Sequence, residues 1–160
     1  MAEADPPDAA PIFTIGYEAC SFDGVRDALL AAGTRLLIDV RAIAASRRPG
    51  FSKRILAGGL AEAGIGYLHL QPLGTPKPGR DAVRRGDILA MQRIFAVHMQ
   101  GDRPQAALAE ARAAALETRA CLLCFERDPA HCHRTLVGDL LCSDAGLAPL
   151  VHLHASPIVK

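Results

Sequence analysis

Short apolar runs alternate with longer amphipathic stretches along most of this chain. The runs predict strands at 12–17, 36–41, 67–70, 120–125 and 151–153. In the stretches between them, apolar residues recur every three or four positions. This spacing predicts helices between Ser21 and Gly33, and at about 52–63, 87–100, 104–117 and 129–144. The alternation predicts an α/β fold, a single three-layer domain with a mainly parallel sheet of about five strands flanked by helices.

Two segments do not follow this alternation. Residues 1–11 are expected to be a disordered leader, so the domain is predicted to cover residues 12–160. Residues 71–80 contain three prolines and two glycines, which predicts a loop without regular structure. Loops this long in a compact domain usually carry function.

Length and composition narrow the class of protein. A chain of 160 residues forms one domain that buries a core without disulfides or structural metals. The chain has no apolar run of membrane-spanning length, and its N-terminus lacks the basic-then-apolar order of a signal peptide. Five cysteines, an odd number without an export signal, favour reduced thiols. We therefore expect a cytoplasmic protein without a membrane partner; the oligomeric state stays open.

The charge is balanced overall but clustered locally. A net charge of +1 excludes a protein that holds nucleic acid by bulk electrostatics. Two segments are nevertheless basic, and each predicts a local site for an anionic small molecule or nucleic acid, with a solvated basic face as the alternative. The first segment contains Arg41, Arg47, Arg48, Lys53 and Arg54. The second contains Lys77, Arg80, Arg84 and Arg85, together with Asp81.

Polar residues collect where the predicted strands end. Gly16-Tyr17-Glu18 follows the first strand, Asp39 and Arg41 end the second, and Cys124 and Glu126 end the fourth. Carboxyl ends of parallel strands meet at one edge of a sheet, where α/β proteins place their ligand sites. With the Leu73-Gly74 loop, these four segments predict one binding or catalytic site.

The segment CFERDPAHCHR, residues 124–134, has the densest chemistry of the chain. Its Cys and His content suggests zinc, but Cys121 and Cys124 are an odd number of strand positions apart and so face opposite sides of the sheet. Cys20, Cys121 and Cys142 are then interpreted as small buried residues. No cofactor is expected; a zinc ion near Cys124, Cys132 and His133, or using His131, stays the alternative.

Thiolate chemistry is the other interpretation of this segment. Cys124 ends a strand, and Cys132 follows a predicted helix start at Asp128 and Pro129, with Arg134 nearby; both positions favour a lowered thiol pKa. Packing beneath the helix is the alternative for Cys132. The Cys-x5-Arg spacing of a phosphatase loop is absent, because Ala and Gly occupy positions 130 and 138.

Five motifs resemble one protein family over about residues 14–152: TIGYE, LLIDVR, SRRPGFSK, GIGYLHLQPLGTPKPGR and CLLCFERDPAHCHR. The chain is similar to the family catalogued as domain of unknown function 488. The resemblance implies a bacterial-type, single-domain α/β protein but no particular activity. It points to these shared positions: Gly16, Tyr17, Asp39, Arg41, Ser46, Arg47, Phe51, Leu73, Gly74, Arg80, Cys124, Glu126, Cys132, His133 and Arg134.

One departure from the family and one weaker resemblance bear on function. Many relatives carry a proline where this chain has Ala42-Ile43-Ala44-Ala45, so the positions of Ser46 and Arg47 are less tightly defined. The order of strand, cysteine, loop, arginine and helix also resembles rhodanese sulfurtransferases. Against that reading, residues 125–133 contain no glycine, and Glu126 and Asp128 would repel a persulfide.

Three functions follow from these residues. The first is an enzyme that binds a phosphate-bearing nucleotide or nucleic acid. The second is a rhodanese-like sulfurtransferase, and the third is a non-catalytic nucleic-acid or metal-binding module. For the enzyme, the expected catalytic residues are Cys124, Glu126, Cys132 and His133, with Glu126 as general acid or base. The expected substrate or anion ligands are Tyr17, Asp39, Arg41, Ser46, Arg47, Arg80 and Arg134.

Overall fold

A five-stranded parallel sheet forms the centre of the protein. The computed structural model describes residues 9–143 and 146–158. The spatial order of the strands is β3-β2-β4-β1-β5, and every pair of neighbours is parallel. The strands are β1 (Ala10–Gly16), β2 (Leu36–Asp39), β3 (Gly66–His69), β4 (Ala120–Cys124) and β5 (Leu147–Leu153). The predicted α/β fold is confirmed.

Helices cover both faces of the sheet and create two apolar cores. The helices are α1 (Phe22–Ala31), α2 (Lys53–Glu62), α3 (Lys77–Arg84), α4 (Ile88–His98), α5 (Asp102–Glu117) and α6 (His133–Cys142). Helices α1 and α2 contribute apolar residues to the core on one face. Helices α3 to α6 contribute to the core on the other face. The three predicted layers are therefore present.

The central strand β4 shows how the sequence pattern sets these faces. All five of its residues are buried, as expected for a strand covered on both sides. Leu122 and Cys124 belong to one core, whereas Cys121 and Leu123 belong to the other. The two cysteines therefore face opposite sides of the sheet, as strand alternation predicted.

The predicted loop at residues 71–80 is wrong. The segment contains a short 3₁₀ helix, Gln71–Leu73, and the start of α3 at Lys77. Pro76 and Pro78 occupy the N-cap and first turn of α3, where proline costs no hydrogen bond. Gly79 is required by packing, because a Cβ atom there would lie 2.4 Å from Thr75 Cγ2. In this segment Pro76 and Pro78 therefore begin helix α3, and Gly79 lets the helix pack closely against Thr75.

Other element boundaries also differ from the prediction. A 3₁₀ helix, Pro129–His131, follows β4 with Asp128 as its cap, and α6 begins only at His133 with Cys132 at its N-cap. Strand β5 is longer than predicted, and β1 begins at Ala10, inside the segment expected to be a disordered leader. The rest of that leader, residues 1–8, lies outside the described residues, as does Asp144.

None of the helices in the described part of the chain combines the length and the hydropathy needed to span a bilayer.

A substitution at Gly16 tests the close contact between the end of β1 and the backbone after β4. A Cβ atom at position 16 would lie 1.8 Å from the Glu126 carbonyl oxygen. Gly16→Ala should lower the free energy of unfolding by about 1–3 kcal/mol, because the backbone after β4 has to move. Urea denaturation measures the change.

The matched control is Gly58→Ala, in the exposed middle of α2, where an added Cβ has no neighbour within 4 Å. It should stabilise the protein by about 0.5–1 kcal/mol, the helix preference of alanine over glycine. Equal effects at the two positions would contradict the close approach at Gly16.

Candidate functional site

A cleft opens at the carboxyl ends of the strands, where the sequence predicted a site. Its volume is about 550 Å³. The ends of β1, β2 and β4, helix α3 and the segment before α6 all contribute to its walls. The lining residues are Tyr17, Glu18, Arg41, Ala42, Ile43, Ala45, Thr75, Arg80, Val83, Arg84, Cys124, Phe125, Glu126, His131 and His133.

A buried ion pair between Asp39 and Arg41 supports one wall of the cleft. Arg41 Nε and Nη2 donate hydrogen bonds of 2.9 and 2.7 Å to the two Asp39 carboxylate oxygens. Arg41 Nη1 donates to the Tyr17 hydroxyl and to the Phe51 carbonyl. Four of the five guanidinium N–H groups are thereby engaged, so Arg41 has at most one left for a ligand.

The Asp39 carboxylate also receives a hydrogen bond from the Tyr67 hydroxyl. Burial and then this bond to a carboxylate raise the pKa of Tyr67. Burial alone would lower the pKa of Arg41, but its bonds and charge interaction with Asp39 outweigh burial and raise it. The ion pair therefore links the end of β2 to β3 through Tyr67 and to the residue after β1 through Tyr17.

Two thiols and one imidazole meet at the wall of the cleft, where Cys124 and His133 line it and Cys132 lies behind them. We call Cys124, Cys132 and His133 the thiol–imidazole cluster. His133 Nδ1 lies 3.6 Å from Cys124 Sγ and 4.0 Å from Cys132 Sγ. His133 Nε2 lies 2.7 Å from the Val40 carbonyl oxygen. Because a carbonyl only accepts, Nε2 carries a proton, and in the neutral ring the Nδ1 lone pair faces the sulfurs.

The two thiols have opposite pKa shifts because they share one hydrogen bond. The pKa of Cys124 is raised well above its ordinary value by this bond to Cys132 and by burial. Burial works against ionisation of Cys132 as well, but hydrogen bonds from Cys124 and His133 lower its pKa well below the ordinary value. Of the two thiols, Cys132 is therefore the one that ionises more readily.

The pKa values of the neighbouring His133 and Glu126 are also shifted. Burial would lower the pKa of His133, but its hydrogen bond to Cys132 raises it. Burial, followed by the charge of Cys132, raises the pKa of Glu126 to about 7. Glu126 Oε2 lies 3.6 Å from Cys124 Sγ, so this carboxyl group adjoins the cluster on the cleft side.

Arg134 is fully buried and holds the segment after β4 in place. Its guanidinium donates to the Thr14 hydroxyl and to the backbone carbonyls of Glu126 and Arg127. The side chain does not line the cleft. Arg134 therefore positions Glu126 through its backbone, and its contacts are internal.

Helix α3 brings cations to the rim of the cleft. Arg80 lines the cleft and uses Nη1 to bond the Thr75 carbonyl at 2.8 Å. Arg84 is exposed and forms a 3.2 Å ion pair with Asp81, which also bonds Lys77. The hydrogen bond from Lys77 is the main cause that lowers the pKa of Asp81. Three cations around one carboxylate give this rim a net positive charge.

Phe125 adds an exposed aromatic face to the cleft. Its side chain is 44% exposed although it directly follows a buried strand. Its ring packs edge-on against Tyr17, whose ring stacks on Phe51 with centroids 4.3 Å apart. One side of Phe125 is thus supported by packed rings, and part of its surface is accessible to a ligand.

The structure brings only some of the predicted site residues together in the cleft. Those that line it are Tyr17, Arg41, Arg80, Cys124, Glu126 and His133. Asp39, Cys132 and Arg134 are buried behind its walls.

Ser46 and Arg47 lie outside the lining. Ser46 forms local hydrogen bonds with Arg48 and Ser52, while Arg47 is exposed. Ala42, Ile43 and Ala45 line the cleft in their place.

Sequence reasoning missed Phe125 and Thr75 as site residues. The signal for Phe125 was a large aromatic residue at a strand end, immediately before a polar segment. Thr75 gave no comparable signal, because its role depends on a helix that the sequence did not predict.

The family model described as "Domain of unknown function DUF488" matches residues 21–141 of the chain. The match covers most of the 160 residues and confirms the resemblance of the chain to this family. No curated protein and no solved structure matches the chain.

The buried ion pair can be tested by removing one charge. Asp39→Asn should lower the free energy of unfolding by about 3–5 kcal/mol, because it leaves Arg41 buried without a counter-charge. Asp27→Asn is the control, since Asp27 pairs with Arg26 on the surface. The control should unfold at nearly the wild-type urea concentration. Similar midpoints for both variants would contradict the role given to Asp39.

Proposed function

The chain belongs to the DUF488 family, and we propose that it is an enzyme acting on a phosphate-bearing substrate of nucleotide size. The observation that carries this proposal is that Arg80 and Arg84 of α3 line the same cleft as Cys124, Glu126 and His133. Such an arrangement suits a substrate whose anionic end is held by arginines while another part reaches acid–base groups.

The rim supports an anionic ligand. Arg80 uses one nitrogen for the Thr75 carbonyl and faces the cleft with the remainder of its guanidinium. Arg84 adds a second planar donor group on the same helix. Arginine binds phosphate oxygens through paired hydrogen bonds, which a fixed helix position makes specific.

Cleft size and the aromatic wall support a nucleotide over a bare phosphate. A volume of about 550 Å³ lies in the range of small-molecule and cofactor sites. Phe125 offers a ring face for a base, and stacking on aromatic side chains is a common way of binding bases. The phosphate is then placed at Arg80 and the base at Phe125.

Glu126 is the feature that favours an enzyme over a binding module. A carboxylate in a cleft meant for an anion weakens binding, and Glu126 takes part in none of the ion pairs found among the described residues. Its place beside Cys124 and His133 fits a group that transfers a proton during a reaction. The same carboxylate disfavours the rhodanese-like alternative, because it would repel a persulfide on Cys124.

Binding of ribonucleoside monophosphates tests the proposed ligand class. In calorimetric titrations, Arg80→Ala and Arg84→Ala should each weaken binding about 10- to 150-fold, the effect of losing a charged hydrogen bond. Arg85→Ala, at the end of the same helix but outside the cleft lining, should bind as the wild type does. Equal weakening in all three variants would show bulk charge only, and absence of binding would reject the nucleotide.

The base-stacking face is tested in the same titrations. Phe125→Ala should weaken nucleotide binding about 5- to 150-fold, in line with a stacking energy of about 1–3 kcal/mol. Inorganic phosphate, which has no base, should bind this variant and the wild type equally. An unchanged nucleotide affinity would place the base elsewhere.

Turnover tests the proposed role of Glu126. The nucleotide that binds most tightly is incubated with the protein, and its products are followed by phosphorus and proton NMR. Glu126→Gln should bind the nucleotide but convert it about 10²–10⁴-fold more slowly, the usual contribution of a general acid or base. Binding without any conversion by the wild type would support the non-catalytic module instead.

A further inference from the structure

We propose that Cys124, Cys132 and His133 together bind one zinc ion, with the fourth coordination position open towards the cleft. The proposal concerns the thiol–imidazole cluster alone and does not depend on the substrate being a nucleotide. The three potential ligand atoms all lie within 4.8 Å of one another. Two sulfurs and one imidazole nitrogen are ligands that zinc prefers.

The distances match those of a tetrahedral zinc site. With Zn–S of about 2.3 Å and Zn–N of about 2.0–2.1 Å, a sulfur and a nitrogen bound to one ion lie about 3.6 Å apart. His133 Nδ1 is 3.6 Å from Cys124 Sγ and 4.0 Å from Cys132 Sγ. Both sulfur–nitrogen distances are therefore within a few tenths of an ångström of this value, and the two sulfurs lie within 4.8 Å of each other.

The imidazole is already held in the orientation that a metal requires. His133 Nε2 donates to the Val40 carbonyl, so a metal ion that displaces the Nδ1 proton finds the Nδ1 lone pair directed at the sulfurs. A ligating histidine in metalloproteins almost always donates its other N–H to a carbonyl or carboxylate in this way. Val40 lies directly after β2, so the orientation is fixed by the sheet itself.

Burial and charge favour a dication at this point. The three side chains are each at most 6% exposed. A zinc ion with two thiolates and a neutral imidazole has no net charge, so the buried group needs no further counter-ion. Strand β4 supplies one ligand, and the N-terminal end of α6 supplies two, so the site is built on two fixed elements.

The open position follows from what adjoins the cluster. Glu126 lies 3.6 Å from Cys124 Sγ but is not within 4.8 Å of all three ligand atoms, and it lines the cleft. Three protein ligands with a fourth position left for solvent or substrate are typical of catalytic zinc, whereas structural zinc has four protein ligands. A carboxyl group beside that position is suited to exchange a proton with a zinc-bound ligand.

Metal analysis of the full chain is the direct test. Protein stripped with chelator under reducing conditions and then reloaded with zinc should retain one zinc per chain after gel filtration. Zinc X-ray absorption should show two sulfur neighbours at about 2.3 Å, with the remaining neighbours nitrogen or oxygen. A spectrum without sulfur, or retention of no zinc, would overturn the proposal.

Variants assign the ligands and provide the control. Cys124→Ser, Cys132→Ser and His133→Asn should each weaken zinc binding more than about 100-fold, since even loss of an outer-shell partner costs about 10- to 100-fold. Cys142→Ser removes a partly buried thiol at the far end of α6 and should leave zinc affinity unchanged. Equal loss in the control would indicate general thiol binding and would refute the assigned site.

Cobalt substitution keeps the proposal testable if a variant fails to fold. In wild-type protein, cobalt should give thiolate-to-metal charge-transfer absorption and the strong visible bands of tetrahedral coordination. Added azide should shift the visible bands, because the fourth position is exchangeable. Octahedral-type weak bands would refute the metal site, and bands unaffected by azide would refute the open position.

Discussion

The buried ion pair between Asp39 and Arg41 is the interaction on which the candidate site depends. Each charge is nearly inaccessible to solvent, so neither is tolerated without the other. Around the pair are the Tyr17 hydroxyl, the Tyr67 hydroxyl and the Phe51 carbonyl. Together these bonds connect the end of β2 to β3 and to the residue after β1. They lie on either side of Val40, whose carbonyl accepts the hydrogen bond of His133. Arg41 therefore acts as a structural centre, which explains why so little of its guanidinium is left for a ligand.

Two kinds of chemistry line the same cleft, and they come from different elements of the fold. The cations lie on α3, a helix outside the sheet, whereas the thiols and the imidazole belong to β4 and α6. Glu126 lies beside Cys124, and its backbone is held by the buried guanidinium of Arg134 and packs closely against Gly16, which has no side chain. A substrate that contacts both groups of residues would place its charged end against Arg80 and its reacting group beside Glu126. The proposed enzyme depends on both groups of residues lining one cleft, whereas the proposed zinc site depends on the thiol–imidazole cluster alone.

The sequence predicted the sheet, its layers and the edge that carries the site, because buried parallel strands have a strong apolar pattern. Strand alternation also separated Cys121 from Cys124 correctly. It did not predict α3, because Pro78 and Gly79 normally interrupt helices, and only tertiary packing against Thr75 and Ile94 explains the glycine. Nor did the sequence distinguish the roles of the arginines. Arg134 and Arg80 were both predicted to bind an anion, but Arg134 is completely buried. Such roles depend on long-range contacts that no local pattern encodes.

The central claim is that one cleft brings together an anion-binding rim on α3 and a metal-binding thiol–imidazole cluster. A crystal structure of the zinc-loaded protein with its tightest-binding nucleoside monophosphate tests that claim most directly. The account predicts phosphate oxygens within hydrogen-bond distance of Arg80, a base stacked on Phe125, and an anomalous zinc peak between Cys124, Cys132 and His133. A nucleotide bound elsewhere, or a peak away from these three side chains, would contradict it.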